Sequence, residues 1–115
     1  MGLKEYVFAG SVSLMLALGQ VLFKKAAIAP TNGYLDLFLS WPFVLALAIY
    51  GVSTLAWGVL LQSAPLSRAY PIILLGSAIV PLCAHYLFGE TLGLKYVGGM
   101  LLIFAGLYLV VTANN

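Results

Sequence analysis

The sequence predicts an all-α integral membrane protein that crosses the bilayer four times. Two observations carry this. Of 115 residues, 63% are hydrophobic and only 7% are charged, and the mean hydropathy is +1.10. A water-soluble domain has about a quarter of its residues charged, so this surface must face something other than water. The chain also divides into four apolar segments, each near the ~20 residues that a helix needs to cross a ~30 Å hydrocarbon core. Four spans with short connections use nearly the whole length, which predicts one domain over residues 1–115 and no separate soluble one. No internal repeat, low-complexity tract or linker stands out.

The first span is expected over residues 6–27. Tyr6 to Phe23 carries no charge, and Lys24-Lys25 close it. Ala29-Pro30-Thr31-Asn32-Gly33 is a turn cluster. Tyr34 to Ser40 is apolar apart from Asp36 and reads as a short interfacial helix. The second span, 42–62, opens on Trp41-Pro42: proline fits a first helical turn, whose amide has no partner anyway, and tryptophan favours the membrane boundary. Ser63-Ala64-Pro65 ends it. The third span, 66–88, contains Pro71 and Pro81, each of which deletes a backbone hydrogen bond and should bend the helix. Gly89-Glu90-Thr91-Leu92-Gly93 forms the last turn before the fourth span, 95–112. Both termini then share one side with Lys4 and Arg68, against Lys24, Lys25 and Lys95 on the other. That balance does not fix orientation.

The net charge of +2 and pI near 8.8 would suggest nucleic acid in a soluble protein. Here the five basic residues lie at span ends, as interfacial anchors do, so no nucleic-acid partner is expected. The single cysteine, Cys83, lies in an apolar run and reads as a small buried hydrophobe. No metal site and no cofactor are expected. Nor is a cleavable leader, since the first apolar stretch ends in Phe23-Lys24-Lys25 without a small-x-small pattern.

In lipid, small and polar residues mark packed or cavity-lining helix faces. Gly10, Ser13, Ala17, Gln20 and Lys24 follow steps of three and four and form one stripe. It either lines a polar groove or makes close helix contacts, with Lys24 snorkelling to the headgroups. Tyr50, Thr54 and Trp57 form an aromatic and hydroxyl stripe on span two, suited to a sugar ring, to an organic cation, or simply to helix contact. Gly99 and Gly106 share a face of span four and admit a partner helix closely. Arg68, beside Tyr70, either reaches headgroups or grips an anion bidentately. His85 is a lone histidine without a second ligand in view. Glu90 is either solvated or a cap for span four. Three boundary carboxylates, no His/Cys cluster and no phosphate-cradling loop argue against an enzyme.

The second half also carries a resemblance. Ala64-Pro65-Leu66-Ser67-Arg68-Ala69-Tyr70-Pro71-Ile72, then Phe88-Gly89-Glu90 followed by the run Gly98 to Gly106, resembles the drug/metabolite transporter superfamily, including its EamA-like members. Four helices in this length is similar to the small multidrug resistance branch. Exporters of that branch carry a glutamate three residues before a glycine in the first helix; here the glycine is Gly19, the place holds Leu16, and no acidic residue lies between Tyr6 and Ala27. Gly19-Gln20 with Lys24-Lys25 instead resembles the Gly-Gln-x-x-x-Lys pattern of the aminoarabinose-phosphoundecaprenol flippase subunits.

That resemblance implies a flippase or flippase subunit of the bacterial inner membrane, moving a polyprenyl-phosphate sugar and working as a homodimer or with a related small subunit. The headgroup residues expected are Gln20, Lys24, Arg68, Tyr70, Ser13, Tyr50 and Trp57, with Lys25, Glu90 and His85 secondary and Gly99 and Gly106 at a dimer contact. The alternatives are a small exporter of cations or metabolites and an accessory subunit of a membrane glycosyltransferase.

Overall fold

The computed structural model describes residues 2–30 and 32–113. Six helices follow in order: α1 (Leu3–Ile28), α2 (Tyr34–Leu39), α3 (Trp41–Leu61), α4 (Leu66–Gly76), α5 (Ile79–Phe88) and α6 (Leu94–Thr112). No strand occurs among the described residues. Helices α1, α3 and α6, and α4 and α5 taken together as Leu66–Phe88, are each long and apolar enough to cross a membrane. The short α2 lies between the first two spans. Pro42 falls in the first turn of α3.

The third span is broken rather than merely bent. Helix α4 ends at Gly76, Ser77 and Ala78 form a turn, and α5 begins at Ile79. Pro81 accounts for the position of the break, because its ring crowds the carbonyl four residues back, that of Ser77, and offers it no amide. Pro71, by contrast, is carried inside α4.

What holds the spans together is small-residue contact, as expected where lipid is as apolar as leucine. The buried residues of α1 are Ala9, Val12, Ser13, Ala17, Gly19 and Ala26. Helix α1 packs most extensively on α3, then on α4, and more thinly on α5. An apolar cluster of Ala9, Leu60, Ala64 and Ala69, flanked by Trp57, Leu61 and Ile72, closes the end where α3 turns into α4. Gly76 lets α1 and α4 meet: a Cβ built there would lie 2.6 Å from the Cβ of Ser13. Helix α6 differs from the other spans. It rests on α4 and has no buried residue, and a Cβ at Gly98, Gly99 or Gly106 would meet no described atom within 4 Å.

Candidate headgroup track along the first span

Gly19 and Tyr50 set the centre of the site. The Tyr50 ring lies on the backbone of α1, where a Cβ at position 19 would come within 2.5 Å of its Cε2 atom. Only glycine leaves room for the ring. Tyr50 is steadied by Phe23, with ring centroids 5.3 Å apart, and Phe23 in turn stacks edge-on against Phe43 at 5.1 Å. With the ring held there, the Gln20 side-chain amide donates a hydrogen bond to the Tyr50 hydroxyl. A glutamine is costly to face toward lipid, and this contact supplies one of its partners.

That hydrogen bond joins two concavities. The first, of about 200 Å³, is lined by Leu16 of α1, Tyr50, Ser53, Thr54 and Trp57 of α3, and Tyr70 and Ile73 of α4. Trp57 and Tyr70 meet edge to face across it, 6.4 Å between centroids. The Ser53 and Thr54 hydroxyls donate to the carbonyls of Ile49 and Tyr50, at 2.7 and 2.8 Å, so their oxygens keep accepting capacity. The second concavity, of about 180 Å³, lies between α1 and α5 and is lined by Gln20, Val21, Lys24, Val80, Ala84, Phe88 and Glu90. It opens where α5, after the break at Ser77 and Ala78, packs less closely on α1. Each volume is below the ~300 Å³ at which pockets begin to enclose a drug-sized ligand. The two together form a lateral track, not a closed chamber.

The track ends at Lys24. Its Nζ lies 3.5 Å from Glu90 Oε2, with both side chains about half exposed. Glu90 is held in place by the end of α5. Gly89 adopts a left-handed backbone, φ +69°, and its amide returns to the Ala84 carbonyl. The Glu90 amide donates to the same carbonyl at 3.3 Å. His85 Nδ1 donates to the Glu90 carbonyl at 2.8 Å, which fixes the ring's tautomer. Glu90 thus faces span one, and α6 begins after Gly93 without a side-chain cap.

The remaining expected residues lie elsewhere. Ser13, on the same sequence stripe as Gln20, is fully buried and donates to the Ile73 carbonyl of α4 at 2.7 Å; it faces a helix contact, not the track. Lys25 Nζ sits 4.7 Å above the Trp41 ring, a boundary cation–π contact. Arg68 lies at the opposite end of the molecule from Lys24. Its guanidinium donates to the carbonyls of Val111, at 3.4 Å, and Ala113, tying the start of α4 to the C-terminus of α6, where a cation is favoured by the helix dipole. Gln20, Tyr50, Trp57 and Tyr70 are brought together; Lys24 and Glu90 adjoin them; Arg68 does not. Sequence reading missed Ser53 and Leu16 in the lining. Ser53 lies one helical turn before Trp57 and was readable from that spacing.

No family model matches the chain, and no solved structure matches it. Its relatives include proteins that carry the name "Probable 4-amino-4-deoxy-L-arabinose-phosphoundecaprenol flippase subunit ArnE". That of Pectobacterium atrosepticum is 34% identical over 110 residues, covering 92% of this chain and 96% of its own. That of Yersinia pseudotuberculosis serotype O:3 is 33% identical over 111 residues, covering 94% and 96%. That of Pseudomonas aeruginosa strain UCBPP-PA14 is 34% identical over 102 residues, covering 84% and 88%. At about one-third identity over more than four-fifths of both lengths, this chain belongs to the family of these flippase subunits.

Proposed function

We propose that this chain is a flippase subunit that carries a polyprenyl-phosphate-linked amino sugar across the bacterial inner membrane, paired with a second copy or a related small subunit. The observation that carries the reading is the Gln20–Tyr50 hydrogen bond, which links two shallow, largely apolar concavities, each holding a few polar side chains. A polyprenyl tail stays in the hydrocarbon throughout; only the phosphate and sugar need help. A phosphate entering hydrocarbon without hydrogen-bond partners meets a prohibitive solvation penalty, and a lateral track can replace its water while the tail remains outside.

In this reading Lys24 takes the phosphate charge at the track's end and Gln20 hands it inward. Tyr50, Trp57 and Tyr70 receive the sugar. A protonated amino group on that sugar is stabilised over the faces of Trp57 and Tyr70 without any carboxylate. The chain positions and desolvates its cargo and makes no bond in it. Supporting a shared site, neither concavity is large enough to enclose a sugar phosphate, and α6 leaves Gly99 and Gly106 open to another helix.

Two measurements test this. Mass spectrometry of the lipid that co-purifies with the full chain should find an undecaprenyl-phosphate species; ordinary phospholipid alone would count against the cargo. In proteoliposomes holding the chain with its partner, delivery of polyprenyl-phosphate amino sugar to the far leaflet should collapse in Gln20→Ala and Lys24→Ala. Undiminished delivery in both would remove the track from the mechanism.

A further inference from the structure

We infer that Glu90 is a tethered counter-ion of Lys24, a built-in competitor that an incoming lipid phosphate must displace and that re-forms the pair when the phosphate leaves. The inference rests on Lys24 as the phosphate ligand proposed above.

Three features of the geometry point there. Lys24 and Glu90 line the same concavity, 3.5 Å apart, so an anion entering it meets an ammonium that already holds a carboxylate. Glu90 is placed there by its backbone and not by chance of a long side chain: the left-handed Gly89, the two amides on the Ala84 carbonyl and the His85 bond to its own carbonyl anchor the residue from both sides. The pair itself is weak. Both side chains are about half exposed, and ion pairs of that exposure contribute little because water and salt screen them. A lipid phosphate accepting from Lys24 and Gln20 together makes two charge-assisted bonds where the screened carboxylate makes one. The frame therefore holds the displaced carboxylate nearby while the exchange remains easy.

Exchange of one anion for another keeps the ammonium neutralised at every stage. That matters at a membrane boundary, where an unpartnered cation drawn inward is expensive. It also sets a selectivity: a free carboxylate, which matches Glu90 in kind, has no advantage in evicting it, whereas an empty lysine would accept carboxylates and phosphates alike.

The test uses the full chain in phosphatidylcholine nanodiscs, with binding of undecaprenyl phosphate measured by native mass spectrometry. Glu90→Gln should tighten binding by about two- to fivefold, the worth of one exposed pair. Lys24→Gln should weaken it, and the double variant should match Lys24→Gln, because the competitor has nothing left to occupy. His85→Ala, which releases the Glu90 carbonyl, gives a second readout and should tighten binding in the same direction by less. If Lys24→Gln weakens binding while Glu90→Gln leaves it equal or weaker, the counter-ion role fails and the phosphate site stands. If Lys24→Gln binds as well as the parent, the phosphate site itself fails and takes this inference with it.

Discussion

Lys24 and Arg68 are both cations near the end of a membrane span, and the described groups they contact differ in kind. Lys24 faces a carboxylate on a loop, half exposed, at the mouth of a polar track. Arg68 faces the terminal carbonyls of α6, which belong to the fold and cannot leave without unravelling a helix end. The first charge can be shared with a ligand; the second is committed to holding span four, which has little else to hold it besides its rest on α4. At these two boundary charges, what each cation holds differs as much as its exposure does.

The widest separation between the two ends is expected from Lys24→Ala. Undecaprenyl-phosphate binding in nanodiscs should fall by about tenfold or more, the loss of a charge-assisted contact, while thermal unfolding of the purified chain stays near that of the parent. Loss of folding alongside binding would erase the distinction drawn here. Gly19→Ala comes next. Its new Cβ must push the Tyr50 ring off α1, costing about 1–3 kcal/mol of packing, and it should lower binding although neither cation has been touched.

Arg68→Ala should show the opposite pattern to Lys24→Ala. Stability falls by about 1–2 kcal/mol as the α6 carbonyls lose their cation, and headgroup binding changes by less than about twofold on the tenfold-per-1.4 kcal/mol scale. A large loss of binding at full stability would give Arg68 a ligand role after all. The smallest effect is expected from Tyr50→Phe, which keeps the ring and removes only the hydroxyl that Gln20 reaches: about threefold weaker binding, with stability unchanged.

The fold class was legible because composition and turn clusters are local properties. An uncharged run from Tyr6 to Phe23 can only be a span in a chain this apolar, and Tyr34 to Ser40 was readable as a short helix from its length and its Asp36. Which faces meet was not. Helical periodicity placed Ser13 and Gln20 on one stripe, yet Ser13 is committed to the Ile73 carbonyl while Gln20 lines a concavity with one amide hydrogen on the Tyr50 hydroxyl. The two diverge because α4 packs tightly on α1 through Gly76, while α5, beyond the break before Pro81, does not. The Arg68 contacts join residues 43 and 45 positions apart, and spacing within one helix carries no signal of them. Lys24–Glu90 was hidden in the same way until the left-handed Gly89 turned the chain back.

The account depends on water reaching one face of the first two spans and not the others. With Cys83 replaced by alanine, single cysteines at positions 20 and 54, on the track side, and at positions 18 and 55, where Leu18 and Leu55 are exposed outside the track, can be treated in membranes with a charged, membrane-impermeant thiol reagent. Labelling at 20 and 54 with none at 18 and 55 is the expected result. Equal labelling at all four, or silence at 20 and 54, would contradict the existence of a hydrated headgroup path.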